Sequence, residues 1–143
     1  MGRPMAHWLL KTEPEEFSWD DQVKRGAKGE SWNGVRNFTA RRNLNAMQKG
    51  ERAFFYHTGN ERQIVGIVEV IREAYPDPTD PKGVFSTVDV KAIAPLPKPV
   101  TLAAIKAEPR LAAMALVKFS RLSVQPVTEA EWKIVCRMGG LRE

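Results

Sequence analysis

The sequence predicts an α+β domain built on a strongly curved sheet, and three features of it say so. Stretches with strand-like alternation are interspersed with short, capped helices; the joins are hairpins or irregular loops; and neither an internal repeat nor a low-complexity tract suggests a solenoid. Residues 7–12 (HWLLKT) form a short apolar run stopped by Glu13-Pro14, where proline holds the preceding residue extended, and this is the first expected strand. Ser18 then opens a helix of about two turns. It can cap the backbone, Asp20 and Asp21 suit the positive end, Lys24 and Arg25 the negative end, and Gly26 stops it.

Residues 28–37 read as irregular, with glycines at 29 and 34. A second helix is predicted over 38–48, with Ala40, Leu44 and Met47 on a buried stripe and Arg41, Arg42 and Asn45 off it. Residues 52–58 (RAFFYHT) and 63–71 (QIVGIVEVI), separated by Gly59-Asn60-Glu61-Arg62, are expected to form the central antiparallel hairpin. After a proline-rich connection over 75–83, the alternation of residues 84–94 predicts another strand, and Pro95, Pro97 and Pro99 are expected to end its pairing. Short helices over 101–106 and 110–115 follow, split by Pro109. A last strand is predicted over 120–126, and the capping box Thr128-x-x-Glu131 opens a final helix with Trp132, Val135 and Cys136 on one face, closed by Gly139-Gly140.

Composition narrows the class. With 143 residues and 43% hydrophobic content, the chain can bury a core without disulfide or metal staples, and residues 1–143 are expected to form a single domain. Twenty-two Lys and Arg against 17 Asp and Glu give a net charge of +5, which favours a polyanionic partner. One cysteine permits no internal disulfide, and with two histidines it cannot build a Cys/His zinc site, so neither metal nor cofactor is expected. The start, MGRPMAHWLLKTEP, carries neither a signal peptide's apolar core nor a myristoylation pattern, and no apolar run is long enough to span a bilayer. The expectation is a soluble, cytoplasmic protein.

Phosphate-binding glycine loops and a nucleophile elbow are absent. Cys136 lies on the apolar face of its helix, where a small buried hydrophobe is the commoner role than a nucleophile. The informative stretch is residues 31–42, SWNGVRNFTARR. A tryptophan, two amides, a glycine and three arginines put a stacking plane, hydrogen-bonding groups and cations within one loop and one helix start, which is what a nucleobase and its phosphates require. The bland reading of the same residues is a loop anchored in the core beside a solvated helix face.

The runs HWLLKTEP (7–14), WNGVRN (32–37), AR (40–41), FFYHT (54–58), EAYPDPT (73–79) and RLSVQP (121–126), in that order over nearly the whole chain, closely resemble the EVE domain family. The resemblance implies a PUA-like fold, a small curved β-barrel of about five or six strands flanked by short helices and related to YTH domains. It also implies a module that reads a modified base in DNA or RNA, a modified cytosine among the candidates, through a pocket at the barrel opening. Carried onto this chain, Lys11 and Thr12 line the pocket mouth, Trp32 supplies a stacking wall, and Arg36 and Asn37 stand beside the base. Tyr56 and His57 offer a second aromatic surface and a titratable donor, and Ser123 and Gln125 face the site from the last strand. Asn33 departs from the family, which often carries an acidic residue after the tryptophan.

Arg41, Arg42, Lys118 and Arg121 are the candidate phosphate contacts, provided the fold brings their two segments together. Each residue also has a plainer role open to it. Lys11 can be a snorkelling surface lysine, His57 a hydrogen-bonded structural histidine, Gln125 a strand-end tie, and Tyr75 either a pocket flap or a loop anchor. Trp8, Trp19 and Trp132 fall in apolar settings and are assigned to the core. The rival function is a PUA-like ASCH-type hydrolase of acylated nucleosides, for which Lys11, Thr12 and Glu69 supply the required residue types. A third reading is an adaptor that uses the basic face to hold a protein partner.

Overall fold

The central strands bury both of their faces, and this organises the molecule. In a computed structural model, which describes residues 5–141, β1 (His7–Thr12) sends Leu9 to one side of the sheet and Trp8 and Leu10 to the other. Next to it, β3 (Arg52–His57) splits in the same way, with Phe54 and Tyr56 on one side and Ala53 and Phe55 on the other. Period-two alternation between two apolar cores explains why these segments read as continuous hydrophobic runs. Residues 1–4, on which part of the leader reading rests, and residues 142–143 lie outside the description.

The sheet has six strands. Besides β1 and β3 it contains β2 (Glu30–Ser31), β4 (Gln63–Pro76), β5 (Ser86–Thr101) and β6 (Val124–Val127), in the order β2-β5-β4-β3-β1-β6. Among the described residues only β1 and β3 run parallel, and every other pairing is antiparallel. The β4–β5 hairpin is long and shifts register four times, and each shift adds twist and bend, which gives the sheet its curvature. The edge strands β2 and β6 are not hydrogen-bonded to each other. Instead, α2 (Phe38–Ala46) packs against β4, β5 and β6 and closes the space that a fully hydrogen-bonded barrel would seal.

The helices divide between the faces. α1 (Trp19–Lys24) and α2 cover the side of Trp8, Leu10, Phe55 and Val68, while α3 (Leu102–Ala107), α4 (Ala115–Lys118) and α5 (Glu129–Met138) cover the side of Leu9, Phe54 and Ile67. The cap predicted at Ser18 and the capping box predicted at Thr128 are both present, and the Ser18 cap is itself a capping box with Asp21. Ala40, Leu44 and Met47 are buried as the stripe requires, as are Trp8, Trp132 and Cys136, and Trp19 packs edge-on to Phe55. No helix among the described residues is long and apolar enough to cross a membrane.

Four boundaries differ from expectation for identifiable reasons. β5 continues through Pro95, Pro97 and Pro99. The register jumps from Gly66↔Pro95 to Ile64↔Val100, so the prolines sit where β5 leaves β4 and no ladder donor is required, and Lys98 N–H turns to the Gly139 carbonyl. β4 extends to Pro76 because β5 continues to pair with it. β6 starts only at Val124, since residues 119–122 form a turn in which Leu122 N–H donates to the Phe119 carbonyl. Over 110–115 the chain forms a 3₁₀ turn (Pro109–Leu111) before α4 rather than one helix.

The short strand β2, absent from the sequence reading, delivers the chain to Trp32. Gly29 just before it has φ +70°, and a Cβ there would run into the Val90 carbonyl oxygen. Gly29→Ala therefore combines left-handed strain with a backbone clash, and a loss of about 1–3 kcal/mol is expected, measured by urea denaturation. A variant as stable as wild type would mean that β2 can shift away from β5.

Candidate nucleic-acid interface

A polar-rimmed cleft of about 490 Å³ opens between the end of β1, the loop that leads from it to α1, the C-terminal end of α1 at Arg25, and β2 with the loop after it. Its walls include Lys11, Thr12, Phe17, Trp32, Arg36 and Ser123. Trp32 forms its apolar wall. The indole is 7% exposed, with Phe55 (centroids 5.5 Å apart, planes at 81°) and Phe17 (6.2 Å, 84°) both edge-on to it. Among the described residues no ring lies parallel to the indole, and the small part of it that stays exposed lines the cleft.

The loop carrying Trp32 hangs on one buried carboxylate. Asp77 Oδ2 accepts from Gly34 N–H at 2.7 Å and Arg36 Nη1 at 3.0 Å, and Oδ1 accepts from the Thr79 hydroxyl at 2.6 Å and Thr79 N–H at 2.7 Å. Burial by itself would raise the Asp77 pKa, but the hydrogen bonds from Thr79, Gly34 and Arg36 together outweigh it and hold the group at about 2. Gly34 has φ +83°, a conformation that glycine adopts freely and that turns its N–H to this carboxylate. Arg36 reaches on to Thr79 through Nη2 and lies 5.5 Å over the Phe85 ring, so its guanidinium is fixed at the cleft wall while remaining 39% exposed.

Other expected site residues are placed as follows. Lys11 donates to the Ser120 carbonyl at 2.7 Å and sits 5.8 Å over the Tyr56 ring, and burial lowers its pKa. Thr12 donates to the Phe17 carbonyl and so shapes the turn that brings Phe17 to the cleft. Ser123 lines the cleft from the opposite side. Asn37 is the N-cap of α2, its Oδ1 accepting from Ala40 N–H, and it faces a neighbouring groove rather than the cleft.

Three expected residues lie elsewhere. Tyr56 is buried on the opposite side of the sheet. His57 accepts Trp19 N–H through Nε2 at 3.0 Å, which leaves Nδ1 as the protonated nitrogen of the neutral ring, 2.8 Å from Glu61 Oε1. It ties α1 to the sheet, and its hydrogen bond is the main cause of a lowered Glu61 pKa. Gln125 is fully buried and donates to the Phe119 and Leu122 carbonyls, holding the 119–122 turn. In each case the side chain's polar atoms, or its face of the strand, are committed to the fold. Tyr75 likewise acts as an anchor, donating to Asp89 at 2.6 Å under the Arg72 guanidinium.

The two basic segments do come together. Asn43 of α2 donates to the Val124 carbonyl, and Arg121 shares a groove with Asn37 and Thr39 at the start of α2. Arg42, Lys118 and Arg121 are exposed, whereas Arg41 donates to the Val84 carbonyl and stacks 5.2 Å from Phe38. The hydrolase set does not assemble. Glu69 pairs with Arg52 and Lys91 opposite the start of β3, while Lys11 lies opposite Tyr56 near its end, four residues or roughly 13 Å along the strand. Among the described residues no three His, Cys, Asp or Glu side chains gather in a metal-binding group.

The sequence reading missed Phe17, the carboxylates Glu13, Glu16 and Glu30 of the cleft, and Asp77. The acid between two prolines in EAYPDPT was the available signal for Asp77.

Comparison with known proteins places the chain in a family. The chain is 35% identical to human thymocyte nuclear protein 1 over a stretch covering 91% of this chain and 72% of that one. Its structure is similar to the NMR structure of a Rhodopseudomonas palustris protein, with a TM-score of 0.92 and 63% identity, covering 97% of this chain and 96% of that chain. It is also similar to the crystal structure of human THYN1 in complex with 5-methylcytosine-containing DNA, with a TM-score of 0.89 and 33% identity, covering 96% and 99% of the two chains. The EVE domain model matches residues 6–138, and with that extent of match the chain belongs to the EVE domain family.

Proposed function

We propose that this chain is a binding module that takes a modified nucleobase, a 5-methylcytosine-like base, from DNA or RNA into the cleft beside Trp32. The observation that carries this reading is the polar-rimmed cleft against an indole on which, among the described residues, no aromatic ring is stacked. Its volume lies in the range of small-ligand sites. A relative of the same fold, human THYN1, has been crystallised with DNA containing 5-methylcytosine, which supports the choice of ligand. The cleft's carboxylates Glu13, Glu16 and Glu30 suit the exocyclic amino group of cytosine, which needs an acceptor. Lys11, Arg36 and Ser123 supply donors for carbonyl or phosphate oxygens.

Magnitudes set the expected discrimination. Stacking on an aromatic ring contributes about 1–3 kcal/mol whatever the base, whereas burying one methyl group adds about 0.8 kcal/mol, or roughly fourfold in affinity. The protein should therefore bind single-stranded oligonucleotides generally and prefer the methylated one by several-fold. If Arg41, Arg42, Lys118 and Arg121 each neutralise a phosphate, log Kobs should fall with log[salt] at a slope of about −3 on single strands. Titration calorimetry with matched cytosine and 5-methylcytosine DNA and RNA oligonucleotides at several salt concentrations measures both quantities. Equal affinity for both bases in both nucleic acids would overturn the reader assignment, and salt-independent binding would favour the protein adaptor instead.

A further inference from the structure

A second opening lies beside the cleft. It is a groove of about 480 Å³ between Asn37 and Thr39 at the start of α2 and the turn formed by Phe119, Ser120, Arg121 and Leu122. Phe119 is 59% exposed, although it is a large aromatic side chain in a turn whose Leu122 packs against the apolar core. An exposed aromatic edge held by a buried amide is unlike a solvated loop. The Gln125 side chain, fully buried, donates to the carbonyls of both Phe119 and Leu122 and fixes the turn that presents the ring.

Resting on the proposed reading of the cleft, we propose that this groove binds the nucleotide next to the modified base in the same strand, with its base against Phe119 and its phosphate near Arg121. Two observations select this occupant. The groove adjoins the cleft: the Lys11 ammonium, on the cleft wall, donates to the Ser120 carbonyl in the groove, and Ser123, in the same segment, lines the cleft. The charge of its lining also suits a phosphodiester, because Arg121 is present and no carboxylate is, in contrast to the three glutamates of the cleft. Asn37 uses its Oδ1 to cap α2, which leaves its amide N–H groups as the outward donors on the opposite bank. An aromatic plane, a cation and an amide donor together make a single-strand stacking site.

The test compares wild type with Phe119→Ala against two probes, 5-methyl-2′-deoxycytidine alone and a short single-stranded oligonucleotide containing 5-methylcytosine. Phe119 is exposed, so its truncation is expected to leave thermal unfolding unchanged. Phe119→Ala should weaken oligonucleotide binding on the order of 5- to 150-fold, as loss of one base stack does, and leave nucleoside binding as in wild type. Placing an abasic site next to the methylcytosine should weaken wild-type binding by a similar factor and weaken the variant no further. Oligonucleotide affinity within twofold of wild type, or an equal loss for nucleoside and oligonucleotide, would overturn the proposal. If wild type prefers neither methylated probe, the cleft reading fails as well; if it prefers them and only the Phe119 effect is missing, the groove alone fails.

Discussion

Asp77→Ala is expected to lower stability by about 3 kcal/mol at neutral pH and to weaken nucleic-acid binding with it. The carboxylate is buried and accepts four hydrogen bonds, two of them from Gly34 and Arg36 in the loop that carries Trp32. Removing it leaves the Gly34 N–H without its acceptor and releases Arg36 from the cleft wall; deletion of one partner from a buried charged network costs about 3–5 kcal/mol, discounted here because Arg36 is 39% exposed.

The pH dependence gives an independent measure. The Asp77 pKa is about 2 in the folded protein against 3.8 ordinarily, a difference equivalent to about 2 kcal/mol. Because the folded value is the lower one, the unfolded chain takes up the proton first. The stabilisation is complete above about pH 5 and disappears as the pH falls through 3.8 towards 2. Other carboxylates are also lowered, Glu108 to about 2 among them, so wild type alone will lose stability in acid for several reasons. The gap between wild type and Asp77→Ala isolates this one group: in urea unfolding it should be widest near pH 7 and should narrow below pH 4. A gap that stays constant with pH would mean that the carboxylate's charge is not what holds the loop.

How far the sequence carried the fold is clearest at the helices. Ser18 and Thr128 declare their caps because a hydroxyl three residues before an acid has a local hydrogen-bonding consequence, and the stripe of Ala40, Leu44 and Met47 follows from helical periodicity alone. The prolines of β5 were misleading for an equally physical reason. Proline forbids a ladder donor, and whether a donor is needed depends on where β4 lies, which no local pattern records. β2 is two residues long and has no periodicity to detect.

The site divides along the same line. Trp32, Lys11, Thr12, Arg36 and Ser123 share the cleft because they sit at strand ends and in the loop those ends surround. Tyr56 and His57 are adjacent to that end in sequence, yet one belongs to the opposite face and the other has both ring nitrogens engaged. The hold of Asp77 on the Trp32 loop was not legible because the partners it has there, Gly34 and Arg36, lie more than 40 positions earlier. A buried charge is assigned by its partners, and long-range partners are not written in a local motif.

Trp32→Ala should have the other large effect, and it acts on two properties that must be separated. The indole is 7% exposed and packs against Phe17 and Phe55, so truncation should cost about 3–5 kcal/mol of stability. It also removes the stacking wall, a further loss of about 1–3 kcal/mol in binding, or roughly 5- to 150-fold. Trp32→Leu and Trp32→Phe tell the two apart, since leucine keeps an apolar wall without a π face and phenylalanine keeps a smaller one. Affinity for a 5-methylcytosine oligonucleotide should fall in the order Trp, Phe, Leu at temperatures where circular dichroism shows each variant folded. Of the four tryptophans only Trp32 lines this cleft, so quenching of intrinsic fluorescence by the oligonucleotide should shrink markedly in Trp32→Phe. A folded Trp32→Leu protein that binds as tightly as wild type would show that the indole supports the core of this region and that the base stacks elsewhere.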